Sequence, residues 1–276
     1  GPQGTTEFIK TMLVRVPLRL GFDVFDKGEI SPGKVEKIIK TIKSYRLLLD
    51  VYEVKHLKAC ATSAMRDARN GQDIIRQVKQ DTGLDIEIIS GDQEASLIYE
   101  NHIAENMAKD ESYLYIDVGG GSTELTFFSD GKLIFKKSFN IGTIRMLKNQ
   151  VTEATGDELK EYIRSKTKGY HHVTAIGTGG NINKVFSLSK RKDGKPLQLD
   201  LLRDYYKEFS NLTLSQRISL HKLREDRADV IVPALLIYIN IMRWADADEI
   251  YVPKIGLADG LIHTLYEEVR LREMEV

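Results

Sequence analysis

The sequence is poor in the residues that build stapled scaffolds. A single cysteine among 276 residues excludes a disulfide framework, a zinc ribbon and a paired-thiol redox site. Surplus charge is missing too: 40 Lys and Arg are balanced by 40 Asp and Glu. That balance removes the basic excess by which a nucleic-acid-tracking surface usually shows itself, while leaving room for local clusters. No apolar run approaches the ~20 residues of a membrane span, and the N-terminus lacks the basic-then-apolar pattern of a secretion signal. What is present, 42% hydrophobic and 29% charged residues, belongs to a soluble globular protein. At about 100–200 residues per domain the length allows one large domain or two ordinary ones. The expectation is a reduced, cytoplasmic α/β protein with no DNA, RNA or membrane partner.

Periodicity organises the chain into two series. Met12, Val14, Val16, Leu18 and Leu20 alternate with Arg15, Pro17 and Arg19, which predicts an edge strand because Pro17 cannot donate to a ladder. Ser31 and Pro32 open a helix whose apolar stripe runs Val35, Ile38, Ile39, Ile42, Tyr45, Leu48 and Leu49. A strand over 54–61, a helix over 72–80, a strand over 86–89 and a helix from Asp92 to about Asn106 complete this series. The second begins with a strand over 113–118, a glycine turn and a strand through Phe128. Asp130-Gly131 then signals a hairpin into a strand over 132–140. Helix follows Gly142, a strand spans 172–176, and a mostly helical stretch from Leu201 is broken by a strand over 249–252. A helix over about 259–273 closes the chain. The break near residue 108 predicts two α/β domains, over 1–107 and 108–276, with a cleft between them.

The most informative stretch is Asp117-Val118-Gly119-Gly120-Gly121-Ser122-Thr123-Glu124. Three glycines between strands let backbone N–H groups approach a phosphate, and Ser122 and Thr123 add hydroxyls. Asp117, ending its strand, is a hard-oxygen residue suited to Mg²⁺. The bland alternative is a glycine-rich hairpin with a solvated Asp. The stretch is neither a Walker loop nor a dinucleotide fingerprint, since it lacks Gly-Lys-Ser/Thr and a strand follows it. Cys60 reads as a small packed thiol, Tyr205, Tyr206 and Phe209 as packing, and Lys190-Arg191-Lys192 as a solvated loop. His171 and His172, as strand neighbours, point apart and cannot share a metal.

This stretch resembles the second phosphate loop of the exopolyphosphatase and guanosine pentaphosphate phosphohydrolase (Ppx/GppA) family, within the actin/sugar kinase/Hsp70 superfamily. Other segments are similar in the same order: Ala61-Thr62-Ser63-Ala64-Met65-Arg66, Ser90-Gly91-Asp92-Gln93-Glu94-Ala95, Ile141-Gly142-Thr143-Ile144-Arg145, Gly177-Thr178-Gly179-Gly180, Arg227-Ala228-Asp229 and Gly256-Leu257-Ala258-Asp259-Gly260. The resemblance implies two actin-like (ribonuclease H-like) domains, with the C-terminal helix, about 261–276, packing back on the first. It implies that Glu94 is the catalytic base, that Arg66 and Gly119–Thr123 hold phosphate, and that Asp117 serves Mg²⁺. Arg145, Glu124, Gly179, Gly180 and Arg227 are weaker candidates for the same site. Each has a plainer alternative: a helix-start Glu favoured by the macrodipole, surface arginines, a strand-end carboxylate, an ordinary strand-to-helix turn.

The family opens with an Asp- and Gly-bearing phosphate hairpin, and nothing of that pattern precedes Met12. The expectation is that this hairpin is absent from the sequence, omitted or supplied by another chain. A helical C-terminal extension of long exopolyphosphatases is not expected either. The implied function is Mg²⁺-assisted hydrolysis of a terminal phosphate from polyphosphate or guanosine pentaphosphate. The alternatives are a non-catalytic sensor of polyphosphate or a guanosine alarmone, and a kinase of the same superfamily. A homodimer stays open.

Overall fold

The computed structural model describes residues 8–94, 96–97, 111–253 and 257–275. Residues 8–19 form no regular element, and helix α1 (Leu20–Lys27) begins where the first strand was expected to end. Alternation marks a segment able to be a strand, but a strand exists only with a neighbour to take its backbone hydrogen bonds. Among the described residues this part has two strands, β1 (Cys60–Ala61) and β2 (Glu87–Ile88), which pair in parallel with each other and with no other strand. Met12, Leu13, Val14 and Val16 accordingly remain exposed. The segment is held instead by its arginines. Arg15 bridges to Asp226 at 2.9 Å, and Arg19 grips the Asp229 carboxylate and the Asp226 carbonyl.

Helix α2 (Pro32–Val51) starts after Ser31 with proline in its first turn, as its sequence requires. Two further helices, α3 (Ser63–Asp67) and α4 (Gly71–Thr82), follow β1. Ile38, Ile39, Met65, Ile74 and Val78 close over Val24 and Ile30 as one hydrophobic cluster. After β2, residues 91–94 are helical; Ala95 and the rest of the expected helix to Asn106 lie outside the described residues, apart from 96–97.

The second part is built on a six-stranded mixed sheet. Its strands are β3 (Ser112–Val118), β4 (Thr123–Ser129), β5 (Lys132–Phe139), β6 (Val173–Thr178), β7 (Leu197–Gln198) and β8 (Glu249–Tyr251), ordered β5-β4-β3-β6-β8-β7. The β4–β5 turn carries positive φ at both Asp130 and Gly131, the geometry that suits the twist of a two-residue hairpin. Strand β6 starts one residue later than expected, because His172 sits at φ 55 before it. Helices α5 (Thr143–Leu147), α6 (Glu153–Thr167), α7 (Gly180–Ser189), α8 (Leu199–Ser210), α9 (Leu214–His221), α10 (Glu225–Ala228) and α11 (Ile231–Trp244) follow in chain order around these strands. Helix α11 is buried on nearly every side, and Phe209 and Tyr205 stack in the same cluster.

Helix α12 (Leu257–Met274) lies against the first part, where Lys58 bridges to Glu268 at 2.6 Å. Among the described residues no helix is long and apolar enough to cross a membrane.

Candidate active site

Sheet register assembles the centre of the site. Asp117 on β3 stands opposite Glu124 on β4 and beside Thr178 on β6, and Glu124 in turn faces Ser138 on β5. Because side chains alternate faces with period two, residues in lateral register point to the same side of a sheet. The result is a polar row, Ser138–Glu124–Asp117–Thr178, across four strands. Ser138 was not singled out in the sequence; its only signal is its place in β5, which means nothing until the register is known.

Glu94 enters this row from the first part of the chain. Ser90 and Gln93 form a reciprocal cap, with Ser90 N–H donating to Gln93 Oε1 at 2.8 Å and Gln93 N–H to Ser90 Oγ at 3.1 Å. This S-x-x-Q box fixes the helix start and with it the direction of the Glu94 side chain, one turn in. One carboxylate oxygen from each of Glu94, Asp117 and Glu124 lies within 4.8 Å of the others. Glu94 and Glu124 are buried, at 9% and 3% exposure, and among the described residues Glu94 Oε2 has no hydrogen-bond partner.

Three carboxyls crowded together resist ionisation. Burial, then the charges of Glu124 and Asp117, push the Glu94 carboxyl up to about 8, with Arg66 pulling the other way. Burial and Glu124 carry Asp117 to about 8, and the Thr178 hydroxyl opposes this. Glu124 is raised by burial, against the hydroxyls of Ser122 and Ser138, which donate to its Oε1 at 2.6 and 3.1 Å. An orphaned buried carboxylate oxygen among three hard-oxygen groups is what a divalent cation such as Mg²⁺ would satisfy, so these residues fit one.

The remaining predicted residues fall into three positions. Arg66, on α3, faces Glu94 and Glu124 and is steadied by donating to the Ile89 carbonyl at 2.8 Å. The loop Gly119–Ser122 borders the row, yet not all its donors point outward. Gly119 N–H closes the turn onto the Ser122 carbonyl at 2.9 Å. Ser122 gives its proton to Glu124, and Thr123, fully buried, gives its own to the Ile141 carbonyl at 2.7 Å. Both hydroxyls expected to meet a phosphate are therefore committed within the protein. Among the described residues, the N–H groups of Gly120 and Gly121 have no such acceptor.

On the other side, Gly179 has φ 115 and its Cα faces Asp117, so a side chain there would be strained and would crowd Oδ1. The Thr178 carbonyl just before it accepts from the buried Tyr238 hydroxyl at 2.7 Å. Arg227 lies buried over Gly180, lowered to about 10 by burial and by Arg15 and Arg224 nearby. Arg145 sits behind the glycine loop rather than in the row, and its guanidinium has protein partners. Cys60, half-buried, has its thiol raised by burial, which keeps it protonated and unreactive.

The model of the Ppx/GppA phosphatase family matches residues 11–268. The chain is 28% identical over 277 residues to a bifunctional 3-dehydroquinate synthase/phosphatase of Fusobacterium nucleatum, covering 91% of this chain but 41% of that protein. It is 24% identical to exopolyphosphatase 1 of Mycobacterium tuberculosis, covering 90% of this chain and 78% of the relative. Among solved structures, an exopolyphosphatase from Cytophaga hutchinsonii superposes with TM-score 0.76 at 24% identity, covering 88% of this chain and 85% of that one. An Aquifex aeolicus Ppx/GppA family member superposes with TM-score 0.69 at 24% identity, covering 92% and 87%. These neighbours share the expected fold, a pair of actin-like domains. Because the family's model matches nearly the whole of this chain, the chain belongs to the Ppx/GppA phosphatase family.

Proposed function

We propose that this chain hydrolyses a terminal phosphoanhydride, releasing inorganic phosphate from polyphosphate or guanosine pentaphosphate. The observation that carries the reading is the convergence of Glu94, Asp117 and Glu124 within 4.8 Å, with a buried Glu94 oxygen that has no partner among the described residues and Arg66 opposite. Two of these carboxylates, Asp117 and Glu124, would hold a Mg²⁺ ion. Once bound, the cation would neutralise charge on the phosphate oxygens and on the two carboxylates that, after burial, help keep Glu94 protonated.

The protein's own groups divide the remaining work. Arg66 and the N–H groups of Gly120 and Gly121 bind the equatorial oxygens of the terminal phosphoryl group. Glu94 accepts a proton from water as the water oxygen bonds to phosphorus in line with the departing phosphate oxygen. The bridging P–O bond breaks, and its electron pair leaves with the shortened chain or the nucleotide. Relatives named exopolyphosphatase and the family's name support the reaction class.

Phosphate release measured with both substrates and Mg²⁺ tests the reading. Replacing a general base typically lowers the rate by about 10²–10⁴-fold. Glu94→Gln should fall in that range in kcat, and undiminished activity in the variant would refute the assignment.

A further inference from the structure

The sequence places Arg145 among candidate phosphate contacts, but the structure spends its guanidinium elsewhere. Nε donates to the Gly121 carbonyl at 2.5 Å, and Nη2 donates to Asp67 Oδ2 at 2.5 Å. The guanidinium carbon lies 3.9 Å from the centroid of the Phe25 ring, close enough for a cation–π contact. Its side chain is 15% exposed, so little of it remains open to a ligand. These three partners come from three places: the glycine loop, α3 of the first part, and α1.

The neighbours tighten the same junction. Phe25 and Ser63 press so closely on Gly121 that even a Cβ there would collide with both. From α5, Thr143 N–H donates to the Gly119 carbonyl at 3.0 Å and Ile144 N–H to the Gly120 carbonyl at 2.9 Å. Asp67, in turn, is the chain neighbour of Arg66, whose head group reaches the Ile89 carbonyl and faces Glu94. A continuous chain of polar contacts thus runs from the glycine loop through Arg145 and Asp67 to the segment bearing Arg66. Planar, fork-shaped and always charged, arginine suits three partners at once; lysine, a point charge, does not.

We infer that Arg145 is a positioning residue, a staple that holds the glycine loop on one part of the chain in register with Arg66 on the other. The inference rests on the proposed phosphohydrolase reading for its effect on rate, but the staple itself is read without turnover. Displacing catalytic groups by a fraction of an ångström lowers rate more than binding. Arg145→Ala and Asp67→Ala should therefore each lower kcat by about tenfold or more, with KM changed less than about threefold. The double variant should be no worse than Arg145→Ala, because the contact that Asp67→Ala removes is already lost in Arg145→Ala.

Hydrogen exchange of this chain is the second arm. Amides of residues 119–122 and 62–67 should exchange faster in both single variants, and Asp67→Asn and Arg145→Lys serve if an alanine variant does not fold. A substrate contact would look different: Arg145→Ala would raise KM tenfold or more at near-normal kcat, and Asp67→Ala would keep or improve activity. That pattern, or exchange unchanged in both variants, overturns the staple. If the wild-type chain releases no phosphate yet both variants accelerate exchange, the staple stands and the proposed reaction falls.

Discussion

Substituting Glu94 by glutamine keeps the volume and removes one of three crowded acids, so it should change how stability depends on pH. In the folded chain Glu94 holds its proton up to about pH 8, whereas an unfolded Glu releases it near 4.5. A group whose folded value is raised makes the folded state bind more protons than the unfolded one, so stability falls as pH climbs between the two values. Each unit corresponds to about 1.4 kcal/mol, so from pH 5 to pH 7 Glu94 should withdraw roughly 3 kcal/mol. Asp117, also near 8, adds a similar decline, and glutamine at 94 removes only its own share. Urea unfolding in EDTA, followed by the fluorescence of Trp244, should show the variant gaining on the wild type by roughly 3 kcal/mol over that interval. Parallel stability profiles for the two proteins would refute the electrostatic crowding, and with it the argument that the cluster is built for a cation.

Two further outcomes follow from the same geometry. Mg²⁺ should stabilise the wild-type chain against heat more at pH 8 than at pH 6, because protonated carboxyls bind cations poorly, and the pH dependence should flatten in Glu124→Gln; calorimetry with and without the ion checks both. Tyr238→Phe deletes the hydroxyl that holds the Thr178 carbonyl inside the core, leaving a buried acceptor unpaired, and should lower unfolding free energy by about 1–3 kcal/mol in urea titrations.

Much of the architecture was legible in the sequence because it depends on near neighbours. Alternation and Asp130-Gly131 specify the β3–β4–β5 meander, and Ser31-Pro32 specifies the start of α2. The glycine-rich turn between two strands was equally readable, whereas a common site for Glu94, Asp117 and the turn was implied only by the resemblance to the Ppx/GppA family. Alternation over Met12–Leu20 misled for a definite reason: it reports that a segment could pair, and says nothing about whether a partner lies beside it.

What the chain settles locally is period, caps and turns, and these need only a few consecutive residues. Which donors stay free is a different kind of property. Thr123 and Ser122 look like phosphate ligands until register supplies the Ile141 carbonyl and Glu124 as acceptors. Arg145 looks like an anion contact until folding brings up Gly121, Asp67 and Phe25. The raised Glu94 carboxyl likewise belongs to no single residue, because desolvation and like-charge repulsion exist only once distant strands place Asp117 and Glu124 beside it. The sequence by itself determined most helices, the turns and the kinds of group available; the tertiary structure alone decided which strands pair, the partners of each group and their protonation, since these depend on distances through space rather than along the chain.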